Sequence, residues 1–158
     1  MKRFLIIFLV FLILVIVSCN NKPGKAEEGG KSQTKEYVAD SLEKQVIEGH
    51  DMAMPKSMKI PNLQKEAKRL IDSIGRLPAK AQEAAAPYKA KLENLLKDLD
   101  GAYSSMETWM NEFNLDSARN NIEQRIKYLT EEKLKVDKVK GAVLNSISKA
   151  DSVLKSKI

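Results

Sequence analysis

The sequence predicts an all-α fold, a long antiparallel three-helix bundle with coiled-coil character whose first helix is kinked near Pro55–Pro61. Three observations carry that prediction. Apolar residues recur at steps of three and four along almost the whole chain beyond position 36, no segment alternates with period two over a useful length, and the breaks between apolar stripes are short. Short connections between long helices place consecutive helices side by side and antiparallel.

The first stripe starts at Glu36 and runs through Val38, Leu42, Val46, Ile47, His50 and Met54, then through Leu63, Ala67, Leu70, Ile71 and Ile74. Pro55 and Pro61 each remove a backbone donor and crowd the preceding turn, so one helix with a bend or short break between about 54 and 62 is expected. Gly75 and Pro78 mark the turn that follows. The second stripe comprises Tyr88, Leu92, Leu95, Leu99, Tyr103, Met106, Met110 and Phe113. Its helix starts either near Ala79 or at Pro87, where a first-turn proline would be tolerated. Asn114-Leu115-Asp116-Ser117 interrupts it, and Asp116 is a candidate cap for the third helix. The third stripe is Ile122, Ile126, Leu129, Val136, Val139, Val143, Ile147, Ala150 and Leu154, with Lys133 and Lys140 at or beside the seam. Three helices of about 35 to 40 residues at 1.5 Å per residue make a rod about 50 to 60 Å long.

The 158 residues carry 27 Lys and Arg against 21 Asp and Glu, with one His, one Cys and one Trp. A lone cysteine cannot build a disulfide scaffold, and one histidine excludes His/Cys zinc motifs and any triad that needs a second His. A catalytic arrangement around His50 stays formally open, but no nucleophile motif accompanies it, and no Gly-rich phosphate loop is present. Charges of both signs mix along all three stripes without a basic run or interleaved aromatics, so nucleic acid is not an expected partner. Acidic pairs on such faces read as salt-bridge partners, and the expectation is a non-enzymatic protein.

The amino terminus explains part of the composition. Lys2 and Arg3 precede the unbroken apolar run 4–17, which holds three of the four Phe residues, and Ser18-Cys19 follows. Fourteen apolar residues are short for a membrane span and suit a secretory signal. Ile16-Val17-Ser18-Cys19 resembles the bacterial lipobox, which implies cleavage before Cys19 and attachment of fatty acyl chains, palmitate among them, to that residue. Stable anchoring takes two or more chains, and lipoprotein processing supplies them. The expected organisation is a signal peptide over 1–18, a lipidated Cys19 with a flexible tether over 19–35, and a helical bundle over 36–158. Removing the leader takes away Lys2 and Arg3 and lowers the formal net charge from +6 to +4. Acidic residues directly after the cysteine tend to mark surface export in lipoproteins of the Bacteroidetes type. Here Asn20-Asn21-Lys22-Pro23-Gly24-Lys25 follows, so the resemblance implies an outer-membrane anchor facing the periplasm.

Every methionine of the mature chain lies in one of two clusters, His50-Asp51-Met52-Ala53-Met54-Pro55-Lys56-Ser57-Met58 and Met106-Glu107-Thr108-Trp109-Met110. On helices His50 shares a face with Met54, and Met106 with Met110. A straight hairpin turning near Pro78 sets His50 opposite Met106 and Met54 opposite Ala102. Two readings follow. In one, methionines fill irregular space around a proline bend, Trp109 anchors the packing and His50 is a seam residue. In the other, His50, Met54, Met106 and Met110 ligate Cu(I) and Trp109 caps the cation, a ligand set similar in type to that of periplasmic copper chaperones.

Taken with the lipobox, His50-Asp51-x-x-Met54-Pro55-Lys56-x-Met58 and Met106-x-x-Trp109-Met110-x-x-Phe113 resemble small helical lipoproteins of Bacteroidetes often labelled "viral A-type inclusion protein". The chain departs from them at Pro61 and in the Ala-rich stretch 79–86 that ends in Pro87. The resemblance implies a lipoprotein with a helical body and brings no activity with it. The function expected is a membrane-anchored envelope protein with a structural or protein-interaction role, its partners being the membrane and another protein or a second copy. The alternative is a periplasmic soft-metal protein. The third helix, with its Lys-interrupted seam, could present an edge to a partner helix.

Overall fold

The computed structural model describes the backbone of residues 27–156 and the side chains of residues 34–156. The expected signal peptide over 1–18, Cys19 and the first part of the expected tether lie outside the described residues. Four helices follow one another, α1 (Glu27–Ser57), α2 (Ile60–Gly75), α3 (Ala79–Glu112) and α4 (Ile122–Lys155), and no strand occurs among the described residues. The bundle belongs to the second of two compact units, Met1–Ser32 and Gln33–Ile158. Helices α1 and α2 are the two parts of the expected first helix, α3 runs back along them, and α4 returns parallel to α1. The helical backbone starts at Glu27, within the stretch expected as tether and earlier than the apolar pattern, which begins at Glu36.

The bend sits at Met58–Lys59. Pro61 has no N–H to offer the Ser57 carbonyl, and the Ser57 hydroxyl turns back to donate to the Met54 carbonyl at 2.8 Å. Lys59 N–H then bonds Lys56 O at 3.0 Å, a tight turn that lets α2 restart with Pro61 in its first turn. The bend does not disturb the buried seam. Ala39, Val46, Ala53, Ile60, Ala67 and Ile74 are all buried at seven-residue spacing on both sides of it.

The same period orders the other helices. In α3 the buried residues are Ala85, Leu92, Leu99 and Met106, interleaved with Leu95, Ala102 and Trp109. In α4 they are Leu129, Val136, Val143 and Ala150, interleaved with Arg125, Glu132, Val139 and Ser146. Small residues set the spacing of α1 against α4. A Cβ added at Gly49 would meet Val136 Cγ1 at 3.0 Å, a contact that Val136 would have to relieve by a few tenths of an ångström. Val46 of the expected first stripe is buried, but Val38 and Ile47 are exposed, while Ala39, Gly49, Ala53 and Ser57 take the inside.

Two helix boundaries resolve or revise the sequence reading. Helix α3 begins at Ala79, with Pro87 inside it. Gln82 closes the turn before it, its side-chain amide donating to Gly75 O at 3.0 Å and Leu77 O at 2.7 Å. The cap of α4 is Asn121 rather than Asp116: the Asn121 side chain accepts from Gln124 N at 3.1 Å. The chain cannot enter a helix at Asp116 because Ala118 adopts φ 57, the left-handed region, and the Asp116 carboxylate is engaged with Arg119 Nε at 2.8 Å. Lys133 and Lys140 flank the seam of α4 and converge on Asp137 at 2.6 Å each.

Candidate functional site

The bend in α1–α2 and the C-terminal third of α3 bring the two methionine clusters together. Met54, Met58, Met106 and Met110 line one cleft with a cavity volume of about 230 Å³, completed by Ser57, Pro61, Tyr103 and Glu107. Met106 is buried and Met54 half-buried, while Met110 and Met58 stand at the rim, 39% and 67% exposed. The Ser57 hydroxyl lies 3.5 Å from the Met54 sulfur while bonding the Met54 carbonyl. Met52, the remaining methionine among the described residues, is 58% exposed and does not line the cleft.

The sequence-derived set of His50, Met54, Met106, Met110 and Trp109 therefore divides. His50 does not line the methionine cleft; its Nδ1 lies 2.9 Å from Asp51 Oδ1 and its ring faces Trp109, centroids 5.8 Å apart at 33°. Relative to the straight hairpin, the partners of His50 and Met54 are displaced toward the C-terminus of α3, because both residues precede the bend, which a straight hairpin lacks. Cys19 lies outside the described residues.

Trp109 belongs to an aromatic stack. It stacks on Phe113 with centroids 4.9 Å apart, and Phe113 stacks on Tyr128 at 6.3 Å. Its indole N–H donates to Glu132 Oε2 at 2.9 Å, and Lys135 Nζ donates to the other carboxylate oxygen at 2.8 Å. Glu132 is thus a buried carboxylate with both oxygens engaged. The hydrogen bond to Glu132 is the main reason the Lys135 ammonium holds its proton more tightly than usual, with the Glu112 and Tyr128 charges adding to it. A second buried charge closes the same end: Arg125 donates to the carbonyls of Leu115 and Ser117 at 2.8 Å each and pairs with Glu43 on α1. Neither Arg125 nor Glu132 was identifiable as a functional or core residue from an apolar stripe; only their place in the seven-residue period marks them.

On the other side of Trp109, α3 and α4 enclose an outer groove. Its wider part, about 490 Å³, is lined by Gly101, Ser104, Ser105, Thr108, Trp109, Glu112, Lys135, Lys138 and Val139. Gly101 also lines a continuation of about 370 Å³ with Lys97, Ala102, Ala142, Asn145 and Lys149. A Cβ added at Gly101 or Gly141 would meet nothing within 4 Å, so packing within the chain does not require either glycine. Lys97 and Lys138 have no ion-pair partner among the described residues, whereas Lys149 is paired with Asp98 and Lys135 with Glu132.

Among the described residues no group of three or more His, Cys, Asp or Glu side chains converges as a metal site, and no helix is long and apolar enough to cross a membrane. Comparison with protein-family models, with curated proteins and with solved structures finds no match to this chain.

Proposed function

We propose that the chain is a lipid-anchored envelope protein, held through Cys19 at the outer membrane and facing the periplasm, whose bundle is a non-catalytic docking module. The lipobox resemblance of Ile16–Cys19 supports the anchor. The observation that carries the docking role is the α3–α4 groove. Gly101 in a helix interior costs about 1 kcal/mol relative to alanine. No described residue lies within 4 Å of a Cβ added there, and the open floor it leaves admits a partner backbone. The partner is an acidic helix of another protein, since four lysines line the groove against Asp98 and Glu112, and Lys97 and Lys138 have no counter-ion among the described residues.

Photo-crosslinkers placed at Ser104 and Asn145 in cells test this, with one at exposed Lys68 as control. A discrete adduct at both groove positions is expected, absent at Lys68, and lost when Gly101→Leu fills the floor. Because the new side chain meets no neighbour, Gly101→Leu should leave the bundle as stable as before or raise stability by about 0.5 kcal/mol, measured by urea denaturation. Adducts that persist unchanged in Gly101→Leu, or that form equally at Lys68, would reject the groove as the docking surface.

A further inference from the structure

We infer that the cleft formed by Met54, Met58, Met106 and Met110 is a thioether site for a soft monovalent cation, Cu(I) or its analogue Ag(I), and that His50 is not one of its ligands. The proposal is independent of the docking groove, which is lined by a different set of residues.

Met58 follows Met54 by one turn at the bend, its N–H bonded to Met54 O at 3.2 Å, and Met106 and Met110 are four apart on one face of α3. The two pairs meet at the bend at Met58–Lys59, where Pro61 ends the run of backbone hydrogen bonds and Met58 stands at the rim of the cleft. Packing alone accounts for Met106, which is buried among the seam residues. It does not account for Met58, which is 67% exposed and gains little from being apolar, and neither Met58 nor Met110 packs against the core cluster. What all four share is the cavity, whose 230 Å³ is ample for an ion and whose mouth is open to it.

The donor set selects the ion. Thioethers are neutral, soft and weak toward hard cations, so Ca(II) and Mg(II) are disfavoured and Cu(I) and Ag(I) are favoured. Binding displaces no proton from a thioether, so affinity should change little between pH 5 and 8, unlike a histidine site. The Glu107 carboxylate at the cleft wall supplies a compensating negative charge. Met side chains are unbranched, with three rotatable bonds, and can turn their sulfurs to a common centre without moving the backbone. His50 is held elsewhere, by Asp51 and the Trp109 ring.

The test uses the full-length chain in detergent with Cys19→Ser, so that the thiol does not compete. Methionine methyl groups are labelled with ¹³C and Ag(I) is titrated while their NMR signals are followed. The expected result is saturation at one ion per chain, with the Met54, Met58, Met106 and Met110 signals shifting together and Met52 unmoved. Cu(I) competition against a chromogenic chelator should then give an affinity that falls at least about tenfold in Met58→Leu/Met110→Leu, a pair at the rim whose replacement leaves the helical circular dichroism intact. His50→Ala should bind as the parent does. Binding no tighter than about micromolar, a Met52 shift equal to the others, an unchanged affinity in the double variant, or loss of binding in His50→Ala would each overturn the assignment.

Discussion

At the scale of single residues, the bundle spends its least hydrophobic positions where the helices must be told apart. Arg125, Glu132 and Ser146 occupy places in the α4 seam that leucine or valine would otherwise fill. A buried charge is tolerated only when its hydrogen-bonding capacity is used, and Glu132 meets that condition through Trp109 on α3 and Lys135 on its own helix. The pair fixes the height of α3 against α4 in a way that interchangeable aliphatic contacts do not. Trp109→Phe keeps the ring in the stack with Phe113 but strips one donor from the carboxylate, which should cost about 1 to 3 kcal/mol. Glu132→Ala leaves the indole N–H without its acceptor and opens space in the seam, for a cost of about 3 kcal/mol. The two losses should not add: the double variant should be less destabilised than their sum by about 1 kcal/mol, read from urea denaturation of all four chains. Strict additivity would show that the indole–carboxylate contact contributes nothing.

At the scale of the elements, the helices themselves were legible because their apolar residues repeat at three and four, and the breaks were legible because proline and glycine leave few alternatives. The inward face was less legible. In α1 Val46 packs as its stripe predicts, but the other buried residues are the small Ala39, Gly49, Ala53 and Ser57, and a hydropathy pattern favours the larger Val38 and Ile47 beside them. Close approach selects for small volume, which hydropathy does not record. The start of α4 was misread for a related reason: an Asp is as good a cap as an Asn, and only the left-handed Ala118 shows that the helix must wait for Asn121. The candidate site was legible as a concentration of methionines and illegible as a ligand set, since the bend decides which sulfurs share a cleft. Lys133 and Lys140, at or beside the seam in the apolar pattern, flank it and converge on Asp137, whose carboxyl is held below the usual aspartate range by the hydrogen bonds from Lys133 and then Lys140. A depressed carboxyl pKa in the folded state stabilises the fold above the unfolded-state value, and that contribution disappears as pH falls through the folded-state value. Asp137→Asn should therefore lower stability at pH 7 by less than about 1 kcal/mol, the carboxylate being partly exposed, and the gap to the parent should close as the pH is taken below 4. A gap that stays constant down to pH 2, measured by urea midpoints, would locate the effect in side-chain packing instead of charge.

At the scale of the whole bundle, the question is whether the bend at Met58–Lys59 divides it. Locally it does, since Pro61 leaves the Ser57 carbonyl without a backbone donor from that position and α2 must start anew. The seam argues the other way, because Ala53 and Ile60 keep the seven-residue interval across the break and face a helix, α3, that runs without interruption from Ala79 to Glu112. Cooperativity follows contacts more than backbone continuity, so α3 and α4 should tie the two parts into a single unfolding unit. The single tryptophan makes this measurable. Trp109 lies beside His50 on the α1 side of the bend and near the loop that joins α3 to α4, so its fluorescence reports that end, while far-ultraviolet circular dichroism reports helix throughout. In the detergent-solubilised chain with Cys19→Ser, the urea midpoints from the two probes should coincide. Pro61→Ala, which restores a donor at the break, should shift both midpoints together, whatever the sign of the shift. If circular dichroism instead shows a second transition after Trp109 fluorescence has finished, the bend separates two cooperative units and the shared seam is not enough to join them.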